Sequence, residues 1–169
     1  MAIQKIGVIG AGTMGNGIAQ VAALAGIDVV MVDVNDTAVA RGVSAIGGSL
    51  DRLVKKEKLA AADKDNVLAR VQGTADYAQL KDIGLVIEAA TENVELKLRI
   101  LKQLDTLLAP EAVIATNTSS ISITQLAAVV SKPERFIGMH FFNPVPVMAL
   151  VELIRGLQTA DSTHAVAEA

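Results

Sequence analysis

Residues 5–33, KIGVIGAGTMGNGIAQVAALAGIDVVMVD, pass from an apolar strand through a glycine turn into a helix and on to a second strand. Ile6, Val8 and Ile9 make the first strand, and Gly10-Ala11-Gly12-Thr13-Met14-Gly15 follows with the spacing G-x-G-x-x-G. Each glycine has its own duty. Gly10 permits a tight turn, Gly12 lets the backbone come close to a pyrophosphate, and Gly15 lets the helix pack closely on the strand. The helix start then presents unpaired N–H groups and the positive end of its dipole. Gly26 stops the helix, residues 29–32 form the second strand, and Asp33 ends it about 20 residues past the glycines. A glycine turn alone is a weak signal. A preceding strand, a following helix and an acid placed to meet a ribose 2′-hydroxyl together make this a dinucleotide cradle, with Thr13 and Met14 inside it. An acid at position 33 repels a 2′-phosphate, so the expected cofactor is NAD rather than NADP.

The 169 residues suffice for one domain with a sizeable core. Apolar residues make up 51% of the chain and aromatic ones 2%, so that core is to be built from Val, Ile, Leu, Ala and Met, the filling of a buried parallel sheet. A net charge of −3 leaves no basic excess for contacts along a nucleic-acid backbone, and no nucleic-acid partner is expected. The chain has no cysteine, which excludes disulfides, thiolate catalysis and cysteine metal sites and suits a reducing cytoplasm. Residues 6–27 carry no charge, but six glycines interrupt them and Asp28 follows at once. Neither a membrane span nor a cleaved leader is expected there.

Beyond Asp33 strands and helices alternate. Asp36 is placed to cap a helix over about 37–57, on which Val39, Val43, Ile46, Leu50, Leu53 and Val54 recur at helical spacing. Residues 63–68 suggest a second helix, which makes 36–71 a helical hairpin inserted before the third strand. Further strands are expected at 71–75, 85–87, 113–115, 136–142 and 149–154. Helices are expected at 93–108, with Lys97 on the outer face, and at 121–130. Short connections of this kind imply right-handed crossovers and a Rossmann-type, doubly wound, mostly parallel α/β sheet carrying the hairpin. Ligands gather at the carboxyl ends of such strands, where Gly10, Asp33 and the segments 88–93, 117–120 and 140–143 all fall.

His140 is one of two histidines, and it reads either as a core histidine satisfied by backbone or as an imidazole base. Glu152 favours the base. That acid interrupts the apolar run Leu150-Val151-Glu152-Leu153-Ile154, and if its strand pairs with the one carrying His140, the carboxylate reaches the ring and fixes its tautomer. Taken alone, Glu152 also reads as a strand residue on a solvated face. Ser119 offers either a hydroxyl near the nicotinamide end of the cradle or a cap for the helix that follows. Arg52, Lys55, Lys56 and Lys58 cluster at one helix end, with Ser49 one turn before Arg52. They read as a solvated terminus that complements the helix dipole, or as a landing site for an anionic ligand.

G-A-G-T-M-G at 10–15, Asp33, T-E-N at 91–93 with Lys97, N-T-S-S at 117–120 and G-M-H-F-F-N-P-V-P-V-M at 138–148, followed by Val151-Glu152, resemble the L-3-hydroxyacyl-CoA dehydrogenases. Nearest in pattern are the stand-alone bacterial 3-hydroxybutyryl-CoA dehydrogenases. The resemblance implies an NAD-dependent oxidation of a 3-hydroxyacyl-CoA, with His140 as general base, Glu152 holding it in the correct state and Ser119 at the substrate oxygen. It implies Asp33 at the adenosine ribose, Glu92, Lys97, Asn117 and Asn143 along the cofactor, and Ser49, Arg52 and Lys56 at CoA, whose polyanionic end suits a basic cluster. It also implies that residues 1–155 form the NAD-binding domain. Residues 156–169 then hold the truncated start of the family's C-terminal helical domain, otherwise absent, through which the full-length parent forms a homodimer.

Overall fold

Apolar residues run almost unbroken along the strands, and the sheet they build is covered on both faces. The structure, a computed structural model, describes residues 3–169. β1 (Lys5–Ile9), β2 (Asp28–Val32), β3 (Val71–Thr74), β4 (Leu85–Glu88), β5 (Val113–Thr116), β6 (Phe136–Phe141) and β7 (Val151–Ile154) form one sheet in the order β3-β2-β1-β4-β5-β6-β7. All neighbours pair in parallel except β7, which runs antiparallel to β6. The helices are α1 (Thr13–Leu24), α2 (Asp36–Lys55), α3 (Ala61–Ala69), α4 (Val94–Leu107), α5 (Ile123–Ala127) and α6 (Asp161–Glu168). Val29 and Met31 of β2 join Ile6, Val8, Ile87 and Met139 in a layer closed by Ile18 and Ala22 of α1 and Ile46 and Leu50 of α2. Val30 and Val32 point the other way, into a layer closed by Leu101 and Leu104 of α4 and Leu126 of α5. This two-sided burial is what a doubly wound sheet requires.

The hairpin forms as expected. α2 and α3 are joined by the Lys64–Asp51 ion pair at 2.5 Å, and Val67 buries the inner side of α3. Its first cap is shifted by one residue: Asn35, not Asp36, is the N-cap, and its Oδ1 accepts from the Ala38 N–H at 2.9 Å. Asp36 becomes the first helical residue, where its charge complements the dipole. The helix expected over 121–130 shortens to the five residues of α5, because the N–H groups of Ala128, Val129 and Val130 each reach back three residues, closing tight turns instead of continuing the helix. β7 starts at Val151 rather than 149, since Phe141, its last partner on β6, ends that strand. No helix among the described residues is long and apolar enough to cross a membrane.

α6 is tied down at its start. Thr163, fully buried, donates to the Glu134 carbonyl at 2.7 Å, and Arg155 donates to Asp161 at 2.6 Å.

The turn between β1 and α1 leaves no room for side chains at two of its glycines. Gly10 has φ +103°, and a Cβ there would lie 2.7 Å from the Ala89 carbonyl oxygen. A Cβ on Gly15 would overlap the carbonyl oxygen of Gly10. Gly15→Ala therefore pushes α1 off its seat and is expected to lower unfolding stability by about 3 kcal/mol or more in chemical denaturation. Gly47→Ala is the matching control, since nothing lies within 4 Å of the new Cβ. It is expected to hold or gain up to about 1 kcal/mol through helix propensity.

Candidate active site

β1 and β4 are neighbours at the point where the strand order reverses, which is where an open α/β sheet leaves a crevice. Three clefts run end to end from that point. The first, about 440 Å³, is lined by Gly10, Asp33, Val34, Tyr77, Ala90 and Arg99 among others. The second, about 250 Å³, is lined by Gly12, Thr13, Met14, Ala90, Glu92 and Asn117 with their neighbours. The third, about 340 Å³, lies between α1, α2 and the turn 143–147, and Thr13, Gln20, Ser49, Arg52, Lys56 and Asn143 line it. Ala90 belongs to the first two and Thr13 to the last two, so the track is continuous.

Asp33 serves the fold before it serves a ligand. Its Oδ2 accepts from the Ala11 N–H at 2.7 Å and its Oδ1 from the Val34 N–H at 2.6 Å, which fixes the carboxylate at the mouth of the first cleft. Each oxygen keeps a lone pair for a ribose hydroxyl. Tyr77, from a short 3-10 helix that sequence pattern did not reveal, faces the same cleft. Burial above all, and then the carboxylates of Asp33 and Glu88, push its phenol above the usual value, so it stays a neutral hydroxyl.

A pyrophosphate fits the turn. No heavy atom lies within 4 Å of where a Gly12 Cβ would stand, so this side of the turn is open, in contrast to Gly10 and Gly15. The N-terminus of α1 has no side-chain cap, which leaves its first N–H groups free to meet an anion.

Lys97 is not on the outer face of α4. It is fully buried and ion-paired with Glu88, whose Oε2 also accepts from Thr116 Oγ1 at 2.7 Å. Lys97 lines none of the three clefts. It acts on the second cleft from beneath, because Glu88 ends β4 and its Oε1 accepts from the Ala90 N–H at 2.9 Å, which shapes the loop of that cleft. A pattern could have found it: positions 97, 101, 104 and 108 follow one helical stripe. Glu92 closes the same loop onto the next by accepting from Thr118 Oγ1 at 2.9 Å. Asn117 accepts from the Phe141 N–H at 2.9 Å, tying the end of β5 to the end of β6. Asn143 falls in the third cleft rather than beside Glu92 and Asn117.

His140 and Glu152 stand directly opposite one another in the β6–β7 register, and Nδ1 lies 2.9 Å from Oε2. The ring is 18% exposed and packs at 4.6 Å against Phe142, while the carboxylate is 52% exposed. With Nδ1 engaged, Nε2 is the nitrogen left for a ligand. Ser119 does not cap α5. Ser122 does, accepting from the Gln125 N–H at 3.3 Å, so the exposed Ser119 is free of that duty. The strand face that carries His140 also carries Gly138, against which Ile123 of α5 packs, and the loop holding Ser119 leads into that helix.

NAD suits this cradle, which makes the molecule an NAD-binding α/β domain with a basic groove beside the cofactor track. Residues 5–169 match the family described as 3-hydroxyacyl-CoA dehydrogenase, NAD binding domain, and the chain belongs to that family. It is 53% identical over 161 residues to a 3-hydroxybutyryl-CoA dehydrogenase of Bradyrhizobium diazoefficiens, a match covering 95% of this chain and 55% of that protein. The crystal structure of (S)-3-hydroxybutyryl-CoA dehydrogenase PaaH1 from Ralstonia eutropha shares the fold with a TM-score of 0.97 and 63% identity, over 99% of this chain and 59% of that one. More distant is a 5-formyl-3-hydroxy-2-methylpyridine 4-carboxylic acid 5-dehydrogenase, an NAD+-dependent dismutase, at TM-score 0.85 and 34% identity over 98% of this chain and 53% of that one. The chain spans about half the length of the curated relatives it matches.

Gly12→Ala is expected to leave the melting curve unchanged and weaken NAD binding at least about tenfold in calorimetry, because the new methyl stands in the open side of the turn. Lys97→Met strands the buried Glu88 carboxylate and is expected to cost about 3–5 kcal/mol, only part of it recovered in Lys97→Met/Glu88→Leu, which removes the stranded charge but also the acceptor used by Thr116 and the Ala90 N–H.

Proposed function

We propose that this chain is the cofactor-binding part of an NAD-dependent (S)-3-hydroxyacyl-CoA dehydrogenase that interconverts 3-hydroxybutyryl-CoA and acetoacetyl-CoA. The observation that carries the reading is the His140–Glu152 pair. It sits on a strand whose next residue is held by Asn117 of the second cleft and whose following turn enters the third. NAD, when bound, supplies the hydride acceptor for oxidation of C3. His140 Nε2 takes the proton of the 3-hydroxyl in that direction and returns it in the other. Glu152 holds the proton on Nδ1 and offsets the charge of the imidazolium. Ser119 contacts the substrate oxygen. Asp33 holds the adenosine ribose, and Glu92 and Asn117 line the rest of the cofactor. Arg52 and Lys56 hold the anionic end of CoA, with Ser49 along its arm, and Asn143 lines the cofactor from the turn after β6.

The reading includes a C-terminal helical domain that follows residues 1–155, closes over the acyl chain and forms a homodimer. It places the enzyme in a reducing compartment such as the cytoplasm, which a chain without cysteine suits. A dehydrogenase of a free hydroxy acid is the second reading. The likeness to the pyridine carboxylic acid dehydrogenase favours it, and Arg52 and Lys56 would then hold a carboxylate.

In the protein that carries this chain, NADH oxidation is expected with acetoacetyl-CoA and not with free acetoacetate. Turnover of the free acid alone would give the site to the second reading, and NAD binding with no turnover of either would leave a binding module. His140→Gln is expected to lower kcat by about 10²–10⁴-fold with NAD affinity unchanged. A parallel loss of NAD affinity would instead make the histidine a support of the fold.

A further inference from the structure

Gln20 of α1 is 1% exposed, and its Nε2 is, among the described residues, the one buried side-chain polar atom without a hydrogen-bond partner. A sealed amide with no partner weakens the folded protein, so it calls for a reason. Its surroundings supply one. Gln20 lines the third cleft together with Ser49 and Arg52 of α2, Lys56 at its C-terminal end and the turn that begins at Asn143.

The polar groups of that cleft are ordered along its length. Gly42 of α2 packs on Ala11 beside the glycine turn, and both helices run away from the rim from there. Higher numbers on either helix therefore lie farther from the glycines. Thr13 stands at the inner end, Gln20 and Ser49 in the middle, and Arg52 and Lys56 at the outer end. An acyl-CoA has the matching order: a thioester at one end, an arm with two amides in the middle and phosphates at the other end.

We propose that Gln20 is a ligand-recognition residue whose side-chain amide, buried in the free protein, turns toward the cleft and donates its N–H to an amide carbonyl in the middle of a thioester ligand held by its anionic tail. The assignment rests on the acyl-CoA reading of the groove given above. It makes Gln20 a group that destabilises the free protein and is satisfied on binding, with no part in the proton transfer at His140.

Gln20→Met keeps the length and packing of the side chain and removes its amide. The purified protein and the variant are compared in two measurements: thermal melting without ligand, and calorimetric binding of CoA and of adenosine 3′,5′-bisphosphate, which retains the anionic end and lacks the arm. The variant is expected to melt at the same or a higher temperature, to bind CoA about tenfold more weakly, and to bind the bisphosphate as the parent does. Gln20→Leu gives the same readings if methionine does not pack. A lower melting temperature in both variants would make the amide a structural support and overturn the assignment. So would unchanged CoA affinity, or an equal loss for both ligands. If the parent binds neither CoA nor the bisphosphate, the acyl-CoA reading itself fails and takes this inference with it.

Discussion

The contact between the backbone of Gly15 and the carbonyl of Gly10 sets the positions on which the rest of the molecule depends. It seats the first turn of α1 directly on the end of β1, with no side chain between them. From that seat Thr13 reaches both the second and the third cleft, and Gln20 lies two turns down the groove. Gly17 comes against Val145, which draws the turn after β6 onto α1. The same glycine turn is fastened to β2, because the Gly10 N–H donates to the Val32 carbonyl at 2.7 Å and the Ala11 N–H to Asp33. One backbone contact thus joins the end of β2, the helix that lines the groove and the turn that follows β6.

Charge is used for position more than for stability. Exposed pairs such as Arg70–Asp28 contribute only about 0–1 kcal/mol each, because water already solvates both partners. The Glu88–Lys97 pair is different, since both side chains are fully buried and their desolvation offsets most of their attraction. What it contributes is geometry. Thr116 and the Ala90 N–H use the remaining capacity of the carboxylate, so the loop from β4 has one arrangement in which every buried group is satisfied. His140 and Glu152 follow the same logic at the surface: a half-exposed carboxylate adds little energy but selects the ring's tautomer.

The glycine turn, the strands and the hairpin are legible because their signals are local: a fixed glycine spacing, short apolar runs between turns, and helical periodicity. The rest depends on position and on contacts distant in sequence. A lysine reads as an outer residue, although its place on the stripe with Leu101 and Leu104 puts Lys97 inside. Asn35 and Asp36 are both good caps, and the sequence alone does not say which one leaves the helix. The start of β7 depends on where β6 ends, and that is settled by pairing rather than by its own residues. The third cleft joins residues 13, 20, 49 and 143, and only the folded chain brings these together. Gln20 carried no signal at all, since a glutamine within an alanine-rich helix reads as a surface residue.

The arrangement also keeps the third cleft apart from the glycine turn and the β6–β7 pair. The cofactor track and the histidine strand meet the third cleft only through Thr13 and the turn that begins at Asn143, whereas Ser49, Arg52 and Lys56 all come from one face of α2. α2 belongs to the hairpin that precedes β3, an edge strand of the sheet, so its outer turns can change without disturbing the Gly10–Gly15 seat or the β6–β7 register. A solved relative that shares this fold is named for a small pyridine carboxylic acid rather than a thioester. In this chain two cations stand along the outer half of the groove and a buried amide in its middle. A compact free acid could meet the cations but would leave the amide unanswered. A long ligand with a charged tail and a polar arm answers both.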